Sequence, residues 1–205
     1  AICGTVARSG TIELEGKATV REIVTRAGAA NSSAVNYHFG DKARLYAAVL
    51  ERLMKEAQDK YPTRRGLPAG APPPERLLGF VRAFLHRIFD PGLQSRMGRL
   101  MALEMVDPTP ALDRVVEAVI RPLFGELCLL VRELLPRRAG YPEVDRAAKS
   151  IVGQVLFYKH SAAVLERLDG RKSMTAGAIE GLARHITAFS LGGLKALRPG
   201  RRRTS

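Results

Sequence analysis

Apolar residues recur every three or four positions along most of this chain, which is the spacing of amphipathic α-helices. Valine and isoleucine follow that spacing and never gather in alternating runs, so no β-strand is predicted. After a short segment at 1–9 that is apolar on one side, the pattern predicts helices over about 19–27, 32–38, 42–60, 75–89, 93–106, 110–135, 143–168 and 174–197. The chain is therefore predicted to be all-α.

Turn-forming residues divide these helices into two groups. The stretch 61–74 holds five of the 12 prolines and predicts a linker. We expect one domain over 1–60, a second over 75–197, and a basic tail over 198–205. Pro110 suits the start of a helix, whereas Pro122 falls inside a predicted helix and should kink it.

Two short helices joined by a tight turn are predicted over 19–38. Thr19 and Glu22 can form a capping box for the first helix, Gly28 can end it, and the polar residues at 31–33 can cap the second. The second helix of such a pair can project from the surface, and an α-helix fits the major groove of B-DNA. The pattern predicts a helix-turn-helix module that binds double-stranded DNA.

Short polar side chains lie near the start of the second helix of this pair. Ser32, Ser33 and Asn36 would line its outer face, where they can reach base edges without filling the groove. For Asn31 and Ser32, simple helix capping explains the residue type equally well.

Three further residues suit contacts with the DNA backbone. Tyr37 and His38 can meet a phosphate or a thymine methyl group, although a polar rim is the alternative interpretation. Lys42 lies in the first turn of the next predicted helix, where free backbone amides and its own charge suit a phosphate oxygen.

The Tyr-His-Phe-Gly-x-Lys block at 37–42, with 19–23 and 27–28 before it, resembles the DNA-binding region of TetR-family transcriptional regulators. The rest of the chain resembles the CecR-like branch of that family. The stretches that carry this second resemblance are 84–87, 104–113, 120–122, 150–154 and 157–160. Together the two resemblances cover nearly the whole chain.

The resemblance implies an all-α fold of about nine helices, with an N-terminal three-helix module and a C-terminal bundle for ligand binding and dimerisation. It also implies a homodimer that represses transcription from an operator and is released by a small-molecule effector. The residues that match the family's DNA contacts are Thr19, Arg21, Ser32, Ser33, Asn36, Tyr37, His38 and Lys42. In the family the last two helices form the dimer interface, and their apolar face here carries Ile151, Val155, Ala162, Ile179, Leu182, Ile186 and Phe189.

The space between long helices can also hold a small ligand. The candidate lining residues are Met97, Met101, Met105, Gln154, Phe157, Tyr158 and His160. Methionines at helical spacing fill gaps in a core more often than they line a pocket, and a polar side chain inside a bundle usually has a protein partner. Ligand binding and ordinary core packing are therefore both open for this set.

The formal charge of +13 is concentrated outside the predicted DNA-binding domain. Residues 1–60 hold nine basic and seven acidic side chains, and much of the remaining excess lies in the arginines of 64–65 and 198–203. The tail could add non-specific affinity for phosphates, but a solvated surface is the simpler interpretation.

No catalytic motif is present among the patterns sought, which were Gly-x-Ser-x-Gly, His-Glu-x-x-His, the P-loop and Gly-x-Gly-x-x-Gly. Glu104 and Asp107 could pair as acid and base, but a capped helix end explains them better. We therefore expect no enzyme, cofactor or metal; the alternative is a helical small-molecule-binding protein or enzyme with a degenerate DNA module.

The expected location is the cytoplasm, without a membrane partner. Cys3 and Cys128 lie far apart in the sequence and suggest no disulfide framework, which suits a reducing compartment. The chain also lacks an uncharged apolar run of 18 residues, so no transmembrane helix is predicted.

Overall fold

The computed structural model describes residues 42–93, 97–170 and 174–197, and their regular structure is entirely helical. The all-α prediction is confirmed. The helices are α1 Lys42–Lys60, α2 Pro73–Phe89, α3 Arg99–Val106, α4 Pro110–Val115, α5 Arg121–Leu134, α6 Tyr141–His160, α7 Ala162–Asp169 and α8 Ala176–Ala196. A three-residue turn, Pro91–Leu93, follows α2, and a π-helical segment, Val116–Ile120, joins α4 to α5. The predicted helices over 19–27 and 32–38 lie outside the described residues.

Local side chains set where several helices begin. The Thr109 hydroxyl accepts a hydrogen bond from the Ala111 amide at 3.2 Å, and Pro110 follows it as the first residue of α4. At α8, the Thr175 hydroxyl accepts from the Ala178 amide at 3.2 Å. The start of α4 at Pro110 and the end of α2 at Phe89 agree with the predicted positions.

The predicted irregularity near Pro122 takes the form of the π-helical segment that precedes it. There the Arg121 amide donates to the Val116 carbonyl, five residues back rather than four. Because Pro122 has no N–H to donate and its ring crowds the preceding turn, the regular hydrogen-bond ladder cannot run through this point. The widened turn lets the helical course continue into α5.

The single helix predicted over 143–168 is wrong, because the structure divides it at Ser161. The backbone of Ser161 has φ −94° and ψ 11°, which lies outside the regular helical region. The Ser161 amide still closes α6 by donating to the Phe157 carbonyl at 2.8 Å. Its own carbonyl accepts from the Val164 amide at 2.9 Å and so begins α7.

The described residues form two compact units. The first contains 42–60, 90–93 and 97–122, and the second contains 61–89, 123–170 and 174–197. Residues 97–122 therefore pack in the same unit as α1, although they lie in the predicted carboxyl-terminal domain. The division into a DNA-binding domain and a ligand-binding domain stays a prediction.

In the first unit, α1 packs mainly against α4 and the π-helical segment. Leu50, Leu53 and Ala57 are buried along one side of α1 at helical spacing, and Val115 and Val119 are buried on the other elements. This burial packs α1 against its neighbours, and Lys60 at its carboxyl-terminal end adds an ion pair with Asp90, in which Nζ and Oδ2 are 2.6 Å apart.

In the second unit, α2 lies at the centre of the core and packs most extensively against α8. Leu77, Val81 and Leu85 follow one another every four residues along α2 and are fully buried. Ile179 and Ile186 of α8 belong to the same apolar cluster, as do residues of α5 and α6. Deleting one such buried leucine side chain typically costs about 2–5 kcal/mol.

A bidentate ion pair joins the edges of α2 and α8. Arg82 donates from Nε to Glu180 Oε2 at 2.6 Å and from Nη2 to Glu180 Oε1 at 2.9 Å. Arg184, one turn along α8, donates to the same carboxylate at 3.0 Å. The hydrogen bond from Arg82 is the largest cause that lowers the pKa of Glu180, from 4.5 to about 2.

We expect Glu180→Gln to lower the free energy of unfolding at neutral pH by about 1 kcal/mol, because the pair is partly exposed. Since the pKa of Glu180 is depressed in the folded protein, its contribution is complete above pH 4.5 and is lost as the pH falls toward about 2. Urea unfolding across that range should therefore show wild type and variant converging in acid. The control is Glu117→Gln, which removes an exposed pair with Arg121 and should have the smaller effect at neutral pH. If the free energies of unfolding of wild type and Glu180→Gln differed by the same amount at all pH values, the assigned lowering of the Glu180 pKa would be contradicted.

Candidate functional site

The predicted DNA-binding residues lie almost entirely outside the described part of the chain. These are Thr19, Arg21, Ser32, Ser33, Asn36, Tyr37 and His38. Lys42 is the first residue of α1, so its backbone position is described. The structure thus describes α1, the helix that directly follows the predicted recognition helix, together with the residues that α1 contacts.

A buried carboxylate ties α1 to the corner that precedes α4. Glu104 of α3 is 1% exposed and accepts two hydrogen bonds from Thr109, one from its amide and one from its hydroxyl, both at 2.9 Å. The Tyr46 hydroxyl on α1 donates to the same carboxylate. Sequence analysis identified the capped helix end, because Thr109 is nearby in the chain, but it missed Tyr46, which is distant. The acid–base alternative loses support, because Asp107 is exposed whereas Glu104 is buried.

The three predicted ligand residues of the first unit have different environments. Met97 is buried, Met101 is half-buried and Met105 is exposed. The three methionines occupy successive turns at a spacing of four residues, and their burial decreases from Met97 to Met105. Only Met97 is therefore part of a packed interior.

The other four predicted ligand residues belong to α6 in the second unit. Gln154 is half-buried, and its amide donates to the Ser190 hydroxyl of α8 at 3.2 Å and to the Ser150 carbonyl at 3.3 Å. Tyr158 is half-buried and packs edge-on against the exposed Phe157, with ring centroids 5.7 Å apart. His160 is exposed. Gln154 therefore already has the protein partners that a polar group in a bundle requires.

A small cavity of about 140 Å³ lies elsewhere in the second unit. Its lining residues are Thr63, Arg64, Arg76, Glu126, Leu129, Leu130 and Glu133, so it contains none of the seven predicted ligand residues. Thr63 donates to Glu126 at 2.8 Å, and Arg76 forms an ion pair with Glu133. A volume this small is below the several hundred Å³ that a drug-sized ligand needs.

Four of the predicted dimer residues are buried in the core of their own unit. These are Ile151, Val155, Ile179 and Ile186. Leu182 packs against the same core and Ala162 is partly exposed, whereas Phe189 is 67% exposed. Helical spacing in the sequence could not separate these two environments, because an apolar stripe has the same period whichever surface it covers.

Glycines with free space around them share the outer faces of α6 and α8 with Phe189. A Cβ atom placed at Gly153, Gly181 or Gly192 would meet no described atom within 4 Å beyond its chain neighbours and the backbone of its own helix. Sequence analysis did not single out these glycines. The signal that could have identified them is their repeated occurrence inside helices, where glycine is unfavourable.

The start of the linker is fixed by Arg87, a buried side chain of α2. Its Nε and Nη2 donate to the Tyr61 carbonyl at 3.0 and 2.7 Å. The Tyr61 ring stacks on His86, with centroids 5.1 Å apart. Burial lowers the pKa of Arg87 from its ordinary value, and the nearby charge of Glu126 acts in the opposite direction.

Among the described residues, no group of three His, Cys, Asp or Glu side chains could hold a metal ion. Burial raises the pKa of the Cys128 thiol, which makes it a poorer nucleophile. Within the same ranges, no helix is long and apolar enough to span a bilayer.

Comparison with known proteins identifies a family. The family of the C-terminal domain of the HTH-type transcriptional dual regulator CecR matches residues 73–194, which is more than half of the chain. Among proteins with curated descriptions, none matches this chain.

Several solved structures share the fold. A TetR-family transcriptional regulator from Rhodococcus sp. superposes with a TM-score of 0.68 at 12% identity, covering 93% of this chain and 96% of that one. A transcriptional regulator from Rhodococcus sp. Rha1 gives 0.62 at 19% identity, with 94% and 95% covered. A TetR-family regulator from Mesorhizobium loti gives 0.62 at 19% identity, with 95% of each chain covered. These identities are low, so the superpositions establish the fold, whereas the family match extends to the sequence. This chain therefore belongs to the TetR family of transcriptional regulators, with a carboxyl-terminal domain of the CecR type.

Proposed function

We propose that this protein is a dimeric, ligand-responsive transcriptional repressor of the cytoplasm that binds a palindromic operator and controls transport or drug-tolerance genes. The observation that carries the proposal is the family match over 73–194, in a chain whose first 42 residues have the pattern of a helix-turn-helix module. A small-molecule effector releases the protein from DNA. We propose no enzymatic activity.

DNA contacts are assigned to the amino-terminal module. The recognition helix spans about 32–38, and the eight contact residues are Thr19, Arg21, Ser32, Ser33, Asn36, Tyr37, His38 and Lys42. Short polar side chains read base edges, while the amino-terminal amides of α1 and the charge of Lys42 bind a phosphate. Phosphate contacts set the register of the protein on the duplex and base contacts supply the sequence preference.

A homodimer through α6 and α8 is supported by the glycines on their outer faces. A glycine inside a helix costs about 1 kcal/mol relative to alanine. Gly153, Gly181 and Gly192 have no neighbour among the described residues, beyond their own helix, that would require the absence of a Cβ. Close approach of helices from a second copy supplies that reason, and the exposed Phe189 supplies apolar area to bury.

The predicted dimer set is therefore divided into two roles. Ile151, Val155, Ile179 and Ile186 support the interface from inside the unit, and Leu182, Ala162 and Phe189 reach its surface to differing degrees. A two-fold dimer presents two recognition helices, which matches the symmetry of a palindrome.

The effector is assigned to the carboxyl-terminal module. The proposed lining residues remain Met97, Met101, Met105, Gln154, Phe157, Tyr158 and His160. A lipophilic molecule suits methionine and aromatic side chains. Release from DNA requires the effector to bind the DNA-incompetent state more tightly, so that the population shifts toward it.

We expect Lys42→Ala or Tyr37→Ala to weaken operator binding about tenfold with helix content intact, because each removes a contact at both half-sites. The measurement is a fluorescence titration with a labelled palindromic duplex and a scrambled duplex at two salt concentrations. Lys55→Ala is the matched control, since it removes the same charge from an exposed position farther along α1. Unchanged affinity in both site variants would contradict the contact assignment.

The same titration separates a specific regulator from a tail-driven binder. Deleting residues 198–205 should either leave affinity unchanged or change it for all duplexes alike, because any contact of the arginines there with phosphates would be non-specific. If the deletion abolished the preference for the palindrome, the assignment of sequence recognition to the helix at about 32–38 would be contradicted.

We expect Phe189→Glu to convert the dimer into a monomer, because it places a charge in a buried contact between two copies. Light scattering coupled to size-exclusion chromatography should show the mass halved, with the helix content measured by circular dichroism little changed. Leu129→Glu is the matched control, since Leu129 of α5 is also 67% exposed but lies on a different helix. A dimeric Phe189→Glu variant would place the interface elsewhere.

A further inference from the structure

Glu104 is a buried acid that has no basic partner among the described residues. It is 1% exposed, and the groups that donate to it are all neutral: the Thr109 amide, the Thr109 hydroxyl and the Tyr46 hydroxyl. A buried carboxylate costs stability even when it is hydrogen-bonded, and an apolar side chain of similar size would pack at lower cost. The arrangement therefore points to a role in fixing geometry.

The three donors belong to elements that pack on each other. Tyr46 lies on α1, and Thr109 caps the amino-terminal end of α4 through the Ala111 amide. Since α1 packs mainly against α4, the Glu104 carboxylate is hydrogen-bonded to both of the helices that form this contact. Apolar packing alone tolerates small rotations and shifts of a helix, whereas hydrogen bonds to one carboxylate require defined distances and angles.

We propose that Glu104 is a positioning residue for DNA binding, which holds the amino-terminal end of α1 at a set position on α4 through Tyr46. Tyr46 is one helical turn beyond Lys42, about 6 Å along the axis, so the hydrogen bond acts close to the assigned phosphate contact. The role rests on the proposed function, because it concerns the helix that directly follows the recognition helix.

The protonation state of Tyr46 supports its part in the network. Burial above all, and then the hydrogen bond to Glu104, raises the pKa of Tyr46 above its ordinary value of 10.0. The hydroxyl therefore stays protonated at neutral pH and can donate its hydrogen bond to the Glu104 carboxyl group.

The test removes the hydroxyl while it keeps the ring. Full-length Tyr46→Phe is titrated against a labelled duplex that carries the inverted repeat selected by the wild-type protein from a randomised pool. Affinity should fall about tenfold. Thr63→Val is the matched control, because it also removes one hydroxyl-to-carboxylate hydrogen bond, from Thr63 to Glu126 in the second unit. Its affinity should equal that of the wild type.

A rescue pair distinguishes positioning from a general loss of stability. Thr109→Val removes the hydroxyl that contacts Glu104 and caps α4, whereas Thr109→Ser keeps it, so only the valine variant should lose affinity. Hydrogen exchange without DNA gives an independent measurement: residues 42–50 should exchange faster in Tyr46→Phe and Thr109→Val than in Thr63→Val.

The outcomes of this experiment are separable. If the wild-type protein selects no sequence from the pool, the proposed function fails and the role of Glu104 in DNA binding falls with it. If the wild-type protein binds its repeat and Tyr46→Phe binds it equally well, the positioning role is overturned and the regulator assignment stands. Equal loss of affinity in Tyr46→Phe and Thr63→Val would also overturn it, because the effect would then follow stability alone.

Discussion

Each described helix satisfies most of its backbone hydrogen bonds internally, so the burial of one apolar stripe per helix has to hold the helices together. In the second unit that stripe is the row of Leu77, Val81 and Leu85 on α2, which meets the buried side of α8. In the first unit it is the row of Leu50 and Leu53 on α1. Because these rows face inward, contacts with a macromolecular partner are left to the outward faces and to the polar groups at the helix ends.

Polar contacts at the ends and edges of the helices then limit how the packed elements can shift. Arg82 and Glu180 join α2 to α8 by two hydrogen bonds, and Arg87 fixes the linker by donating twice to one carbonyl. In the first unit Glu104 links elements in the same way, because it accepts hydrogen bonds from Tyr46 on α1 and from Thr109 at the cap of α4. These contacts contribute modest stability compared with the apolar core, but hydrogen bonds depend on direction as well as distance. They therefore fix the orientation of a helix, which matters where a helix has to fit a DNA groove.

The outward faces carry two features that packing within the described part of the protomer does not explain. At Gly153, Gly181 and Gly192, inside α6 and α8, an added Cβ would meet no described atom beyond its chain neighbours and the backbone of its own helix, and Phe189 exposes most of its ring. The proposed dimer would account for both observations through one interface. The proposed effector site is less sharply defined by its residues, because Gln154 already has protein partners and the predicted methionines differ in burial.

Helical period, proline positions and cap residues were enough to predict the all-α class and the start of α4 at Pro110, because these signals are local. The family was predicted separately, from the resemblance of contiguous motifs such as the block at 37–42 to TetR-family regulators. Sequence could not show that the chain turns at Ser161, because serine is compatible with both helix and turn. It also could not separate Ile186, which belongs to the unit's own core, from Phe189, which faces outward, because both lie within one apolar pattern. The meeting of Tyr46 with Glu104 was decided by tertiary structure alone: the two side chains are far apart in the chain, and only the packing of α1 against its neighbours brings a hydroxyl to a buried carboxylate.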